Sequence, residues 1–163
     1  MSCPASAIAL RRLFLRLVLV ACGVGMAGCA SSTGLWVEIA QERFAVEVAD
    51  DDAERSRGLM FRDVLEPGQG MLFLHEREGS LAYWMKNTRI PLDILYFDRA
   101  LKLVSQQRDV PPCSLGDRCP SYPSDAPAQF VLELNAGEAE RLGLKDGEQL
   151  RVSPAIVLPA PRE

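Results

Sequence analysis

Tyr83-Trp84-Met85-Lys86-Asn87-Thr88-Arg89-Ile90-Pro91-Leu92-Asp93 brings an indole, an ammonium, an amide, a hydroxyl, a guanidinium and a carboxylate into one short stretch. Asn87 and Thr88 offer amide and hydroxyl contacts to a polar ligand. Trp84 offers either a flat platform for a ligand or a side chain for the core. Upstream, Arg57 and Arg62 bracket Gly58-Leu59-Met60-Phe61. Two guanidiniums beside a turn can clamp a carboxylate or phosphate. They can equally well form salt bridges with the acids of residues 50–54. Met60, Met71 and Met85 are soft-metal donors by type, but they fall in apolar segments where methionine packs.

Asp93 raises the sharpest question. Strand alternation puts it on one face with Leu95 and Phe97, an acid among apolar neighbours. A buried carboxylate needs hydrogen bonds or a cation. Two uses stand open. Asp93 accepts amide hydrogens from residues 87–89 and pins the turn, or it pairs with Arg57, Arg62 or Lys86 and lines a cleft. A hydrolase would need a second acid such as Glu133, and sequence cannot place the two together. His75 is the sole histidine, and no G-x-S-x-G or H-E-x-x-H surrounds it. It reads as a solvated turn residue at a strand end. No catalytic residue, cofactor or metal site is expected.

The elements that must position these groups are mostly strands. Residues 35–40 and 43–48 alternate apolar and polar, as half-buried strands do. Residues 50–58 read as a short helix, opened by acids, carrying arginines late and followed by Gly58. Residues 70–75 form a buried strand. Segments 81–86, 92–98 and 101–108 follow at short gaps and suggest an antiparallel meander, with 81–86 and 92–97 paired around the loop 87–91. Pro111, Pro112, Pro120, Pro123 and Pro127 exclude residues 110–127 from a central strand. Residues 129–134 are a strand, 136–142 a short helix ended at Gly143, and 148–153 a closing strand, with a loose tail over 154–163. The expectation is a mostly-β domain over 35–153, a compact antiparallel barrel or sandwich with two short helices.

The front of the chain has a different character. Arg11, Arg12 and Arg16 precede an apolar run from Leu17 to Ala27 that contains no acid. A basic start, a short apolar core and small residues describe an export signal, here residues 1–28. The run is short of the ~20 apolar residues of a membrane-spanning helix. Met26-Ala27-Gly28-Cys29 resembles the lipobox of bacterial lipoproteins. The resemblance implies a lipidated Cys29, a tether over 29–34 and a membrane anchor in the cell envelope, facing the periplasm. The absence of aspartate after Cys29 favours the outer membrane by resemblance to known sorting rules. The arginine pair also resembles a twin-arginine signal, so the export route stays open.

Removing residues 1–28 takes away three arginines and no acid. That leaves 15 Lys and Arg against 22 Asp and Glu, a net charge of −7. Such a domain repels nucleic acid, which is not an expected partner. Of five cysteines, Cys113 and Cys119 remain once Cys3, Cys22 and Cys29 are accounted for. An even pair in an oxidising compartment suggests a disulfide, contributing about 2 kcal/mol by closing a short loop. Zinc is the rival and would need further ligands beyond His75.

Several blocks come in order: Arg57-Gly58-Leu59-Met60-Phe61-Arg62, Gly70-Met71-Leu72-Phe73, the 83–93 stretch, Val131-Leu132-Glu133-Leu134-Asn135-Ala136-Gly137 and Leu142-Gly143-Leu144-Lys145-Asp146-Gly147. Together they resemble the bacterial and archaeal family called domain of unknown function 192, over about residues 35 to 153. The resemblance implies a mostly-β domain and carries no established activity. Asp146-Gly147 stands where Gly-Asp is common in that family. The expected role is binding of a small polar or peptide-like ligand in a cleft lined by residues 84–93, Arg57, Arg62 and the disulfide loop. The alternatives are a carboxylate-dependent hydrolase of cell-wall or polysaccharide material, and a purely structural partner of another envelope protein.

Overall fold

The computed structural model describes residues 34–160. The export signal, Cys29 and most of the tether lie outside the described residues, as do residues 161–163. The strands are β1 (Trp36–Ile39), β2 (Glu42–Ala49), β3 (Gln69–Gly79), β4 (Ala82–Trp84), β5 (Leu92–Phe97), β6 (Leu103–Val110), β7 (Ser121–Pro123), β8 (Ala128–Asn135) and β9 (Arg151–Val152). Helices α1 (Asp52–Arg57) and α2 (Glu138–Arg141) complete the domain, with a single 3-10 turn at Gly116–Arg118. The fold is mostly β, a curled half-barrel sheet with two helices, as the compact barrel or sandwich expectation required.

Seven strands form one sheet in the order β6-β5-β8-β3-β2-β1-β9. Its two ends are brought together beyond β9: the Leu103 amide donates to Glu148 and the Leu150 amide to Leu101, both at 2.8 Å. Inside the curl sit Val37, Phe44, Leu72, Leu95, Phe97, Leu132 and Leu134. The outer face of β3, β5 and β8 carries a second apolar cluster that includes Phe73, Ile94, Tyr96 and Val131. Every residue of β5 is therefore buried. A strand covered on both sides loses the alternation that marks a half-exposed one.

Two topological expectations are corrected. The pairing is not purely antiparallel, because β2 and β3 run parallel. A parallel neighbour needs a crossover connection, and α1 supplies it. Asp51 caps α1, its carboxylate accepting from the Glu54 amide at 2.8 Å. The 81–97 hairpin also does not form. β4 pairs with β7, out of the proline-rich loop, while β5 pairs with β6 and β8. β7 carries Pro123 and belongs to a two-stranded sheet, where every strand is an edge and proline is tolerated.

The tail is not loose from residue 154. Ile156 is buried in the barrel core and its amide bonds Ser153 at 3.0 Å. His75 is no solvated turn residue either. β3 continues past it to Gly79, and its Nε2 lies 2.9 Å from the Tyr83 hydroxyl.

Candidate functional site

The wedge is a turn set on the outer face of the barrel. The Thr88 amide closes it on the Met85 carbonyl at 3.0 Å. Asn87 takes a φ of 57°, the left-handed region that asparagine tolerates better than most residues. Its remaining backbone groups are used from outside: the Phe61 amide donates to Asn87 at 2.8 Å and the Cys113 amide to Thr88 at 3.1 Å. The wedge is thus held by the α1–β3 loop on one side and by the disulfide loop on the other. Cys113 and Cys119 are bonded, with Cα atoms 5.9 Å apart, which takes their sulfurs away from the zinc alternative.

Two openings meet at Thr88. One is a narrow slot of about 20 Å³, lined among others by Arg57, Trp84, Lys86, Thr88 and Glu133. That volume holds roughly one water molecule. The other is a cleft of about 320 Å³, lined by Phe61, Asn87, Thr88, Arg89, Pro112, Cys113 and Ser114. Trp84 is 42% exposed, so it is a rim platform and not a core residue. The Lys86 ammonium lies 4.7 Å from its ring centroid and also pairs with Asp117 of the disulfide loop. Arg89, which lines the cleft, pairs with Asp63 at 2.9 Å.

The structure therefore brings together Arg57, Trp84, Lys86, Asn87 and Thr88, five of the residues singled out from sequence. Arg62 stands apart from both openings. It forks onto Glu47 with two bonds of 2.5 Å, which lowers the Glu47 carboxyl below its ordinary range, and it shares with Arg57 a separate depression of about 410 Å³ that Glu47 also lines. Arg57 is exposed and makes no ion pair among the described residues.

Asp93 leaves the site altogether. It is fully buried, on the inner face of the barrel. The turn amides are not its partners. One oxygen accepts from the Asp109 amide at 2.8 Å, and the other from the Ala139 amide at 2.7 Å. The reason is local geometry. The β5–β6 register slips between Leu92 and Ile94, and the bulge leaves the Asp109 amide without a strand partner. Helix α2 starts at Gly137, which has no side chain to cap it, so Asp93 supplies the missing acceptor. The hydrolase pair fails on the same geometry. Asp93 stands opposite Leu134 and Ile94 opposite Glu133, so the two acids project from opposite faces of the sheet.

Glu133 is the group sequence reasoning undervalued. It is 4% exposed and makes no side-chain hydrogen bond or ion pair among the described residues. Burial pushes its carboxyl up to about 8. Tyr83 and Tyr96 are also pushed up by burial and stay neutral. The signal was available in sequence: Glu133 interrupts the apolar run of residues 130–134, as Asp93 interrupts 92–97. On the opposite, inner face Gly70 lets β3 and β8 pack closely. A Cβ there would meet Leu134 Cδ2 at 2.7 Å and the Glu133 carbonyl at 2.8 Å.

A larger depression, about 1040 Å³, lies elsewhere against Leu158, Pro159 and Ala160. It contains none of the singled-out residues and no buried unpaired acid, so the slot and cleft are the stronger candidate.

Comparison with known proteins agrees with this architecture. A crystal structure of a protein of unknown function from Novosphingobium aromaticivorans is similar at 32% identity with a TM-score of 0.66, over 71% of this chain and 83% of that one. A protein from Sinorhizobium meliloti, named a "putative transcription regulator", is similar at 33% identity with a TM-score of 0.65, over 72% of this chain and 91% of that one. No curated protein matches the chain. The model of the DUF192 family, described as uncharacterized ACR, matches residues 35–152. The chain belongs to the domain of unknown function 192 family.

Proposed function

We propose that this protein is a lipid-anchored envelope domain that binds a small polar or peptide-like ligand in the slot and cleft around Thr88. One observation carries the reading: Arg57, Trp84, Lys86 and Thr88 converge on an opening whose floor is the unpaired, buried acid Glu133. Ligand sites are concave, mostly apolar and furnished with a few convergent polar groups, often with a perturbed pKa. Three of the large exposed apolar side chains, Phe61, Trp84 and Leu115, lie on the segments that frame these openings, while Val157 lies apart on the C-terminal segment. The disulfide loop on one wall supports an oxidising compartment and thus the envelope location. The name of the Sinorhizobium protein is not carried over, since the acidic balance of residues 29–163 opposes nucleic-acid binding.

The test is a thermal-shift screen of the purified protein with cell-wall fragments, short peptides, sugars, amino acids and nucleotides. A ligand that stabilises the wild type and loses that effect in Trp84→Ala and Thr88→Val supports the site. A ligand that stabilises both variants fully places binding elsewhere.

A further inference from the structure

We propose that the ligand is a zwitterion of the α-amino acid kind, its ammonium group entering the slot to meet Glu133 and its carboxylate held at the rim by Arg57 and Lys86. This rests on the cleft reading above and names the chemistry that reading leaves open.

Glu133 is a built acceptor without a donor. It is 4% exposed, set in a strand whose neighbours are apolar, and none of the described residues bonds its carboxyl. Its carboxyl oxygens are not sealed off but open onto the slot, and burial keeps the group neutral until a cation meets it. A metal ion does not suit the place. Among the described residues no three His, Cys, Asp or Glu side chains gather there. An ammonium is a compact point charge with three donors and, of the cationic groups, needs the least room in a narrow slot.

The walls and rim fit the same group. Phe73, Tyr83 and Trp84 line the slot, and aromatic faces attract cations. The rim has the opposite sign. Arg57 makes no ion pair among the described residues. Lys86 rests on the Trp84 ring and pairs with Asp117, which is 85% exposed, and a surface pair of that kind contributes little. Arg55, the third base lining the slot, is taken up by Asp52 and by the Asp50 and Leu74 carbonyls, so an acid at the floor and the two remaining bases match the two ends of a zwitterion. The rest of the ligand then extends past Thr88 into the adjoining cleft.

The proton balance follows. In the free protein Glu133 is mostly protonated at pH 7, because burial pushes it up to about 8. Arg55, Arg57 and Lys86 line the same slot as fixed cations, and Tyr83 stays neutral. Pairing with an ammonium requires the carboxylate, so the Glu133 proton passes to solvent and close to one proton is released per ligand bound.

Isothermal titration calorimetry at pH 7 with glycine, L-alanine and D-alanine, each run in phosphate and in Tris, tests this directly. The inference predicts binding by at least one of them, with an enthalpy difference between buffers equal to release of nearly one proton. It also predicts at least tenfold weaker binding for the N-acetylated compound and for acetate, and at least tenfold loss in Glu133→Gln. That variant is isosteric, and its melting temperature confirms folding. Arg57→Gln, on the exposed rim, should weaken the amino acid without altering proton release. An N-acetylated compound that binds as well as the free amino acid, or a Glu133→Gln protein that binds unchanged, overturns the ammonium assignment. So does a panel in which no amino acid binds. In each case the cleft reading stands or falls separately, on whether any ligand from the screen loses its effect in Trp84→Ala and Thr88→Val.

Discussion

Asp93 and Glu133 lie one step apart across the β5–β8 ladder, Asp93 opposite Leu134 and Glu133 opposite Ile94, so the two buried acids project from opposite faces of one sheet. The single-residue offset divides their roles. Asp93 points into the barrel, where a bulge and a helix start both lack an acceptor. Glu133 points outward, under the wedge, where nothing meets it. One acid braces the fold, and the other is left for a ligand.

Replacing Asp93 should therefore damage stability and not binding. In Asp93→Asn one amide oxygen can still serve one of the two amides, but the side-chain NH₂ then confronts the other. An unsatisfied buried donor costs about 1–3 kcal/mol, so urea unfolding should show a loss of about 2 kcal/mol or more. Any ligand found for the wild type should bind the folded variant within about twofold.

Glu133 and His75 make opposite demands on pH. Glu133 is raised by burial from 4.5 to about 8, so the native state binds the extra proton. Its contribution is fully present below pH 4.5 and is lost as pH rises to 8. His75 is lowered from 6.5 to about 4, by burial first and the Arg55 charge second. Its contribution is fully present above pH 6.5 and is lost as pH falls to about 4. Between pH 4.5 and 6.5 the two slopes cancel, and stability should be nearly flat there. Above pH 6.5 the Glu133 slope is unopposed. Glu133→Gln should be more stable than the wild type by on the order of 3 kcal/mol at pH 7, since one pKa unit is ~1.4 kcal/mol. The gain should vanish near pH 4.5, a trend that denaturant midpoints across pH will show.

The disulfide links stability to the site. Cys113 sits beside Lys86 in a bridge, and its amide holds the Thr88 carbonyl. Cys113→Ser with Cys119→Ser should lose about 2 kcal/mol from the short loop. Backbone hydrogen exchange should rise at Cys113, where the amide is bonded to the wedge, before it rises in β5 or β8.

The strands of the barrel were legible in sequence because half-exposed ones alternate and the rest are apolar runs. What misled was adjacency. Residues 81–86 and 92–97 are close in the chain and look like a hairpin, yet β4 finds its partner near residue 122. Proline content hid that partner, because the rule that bars proline from central strands says nothing of edges. Five site residues were readable from chemical type alone. Asp93 and Glu133 looked alike, each an acid in an apolar run, and only the β-ladder register shows which face each one takes. A bulge at Asp109 and a capless helix start at Gly137 leave no mark in composition, so the true partners of Asp93 could not be read.

The most direct measurement uses the two tryptophans. Trp84 stands at the rim of the slot, and Trp36 lies on β1 with Arg43 over its ring. In a ¹⁵N-labelled protein each gives one indole N–H signal, and Trp84→Ala assigns them. On titration with amino acids, peptides or cell-wall fragments, binding at the proposed site predicts that the Trp84 indole and the Thr88 and Glu133 amides shift together and saturably, while the Trp36 indole stays in place. A saturable ligand that moves Trp36 or the groove of Ala100, Phe130 and Leu158 and leaves Trp84, Thr88 and Glu133 unmoved would contradict it.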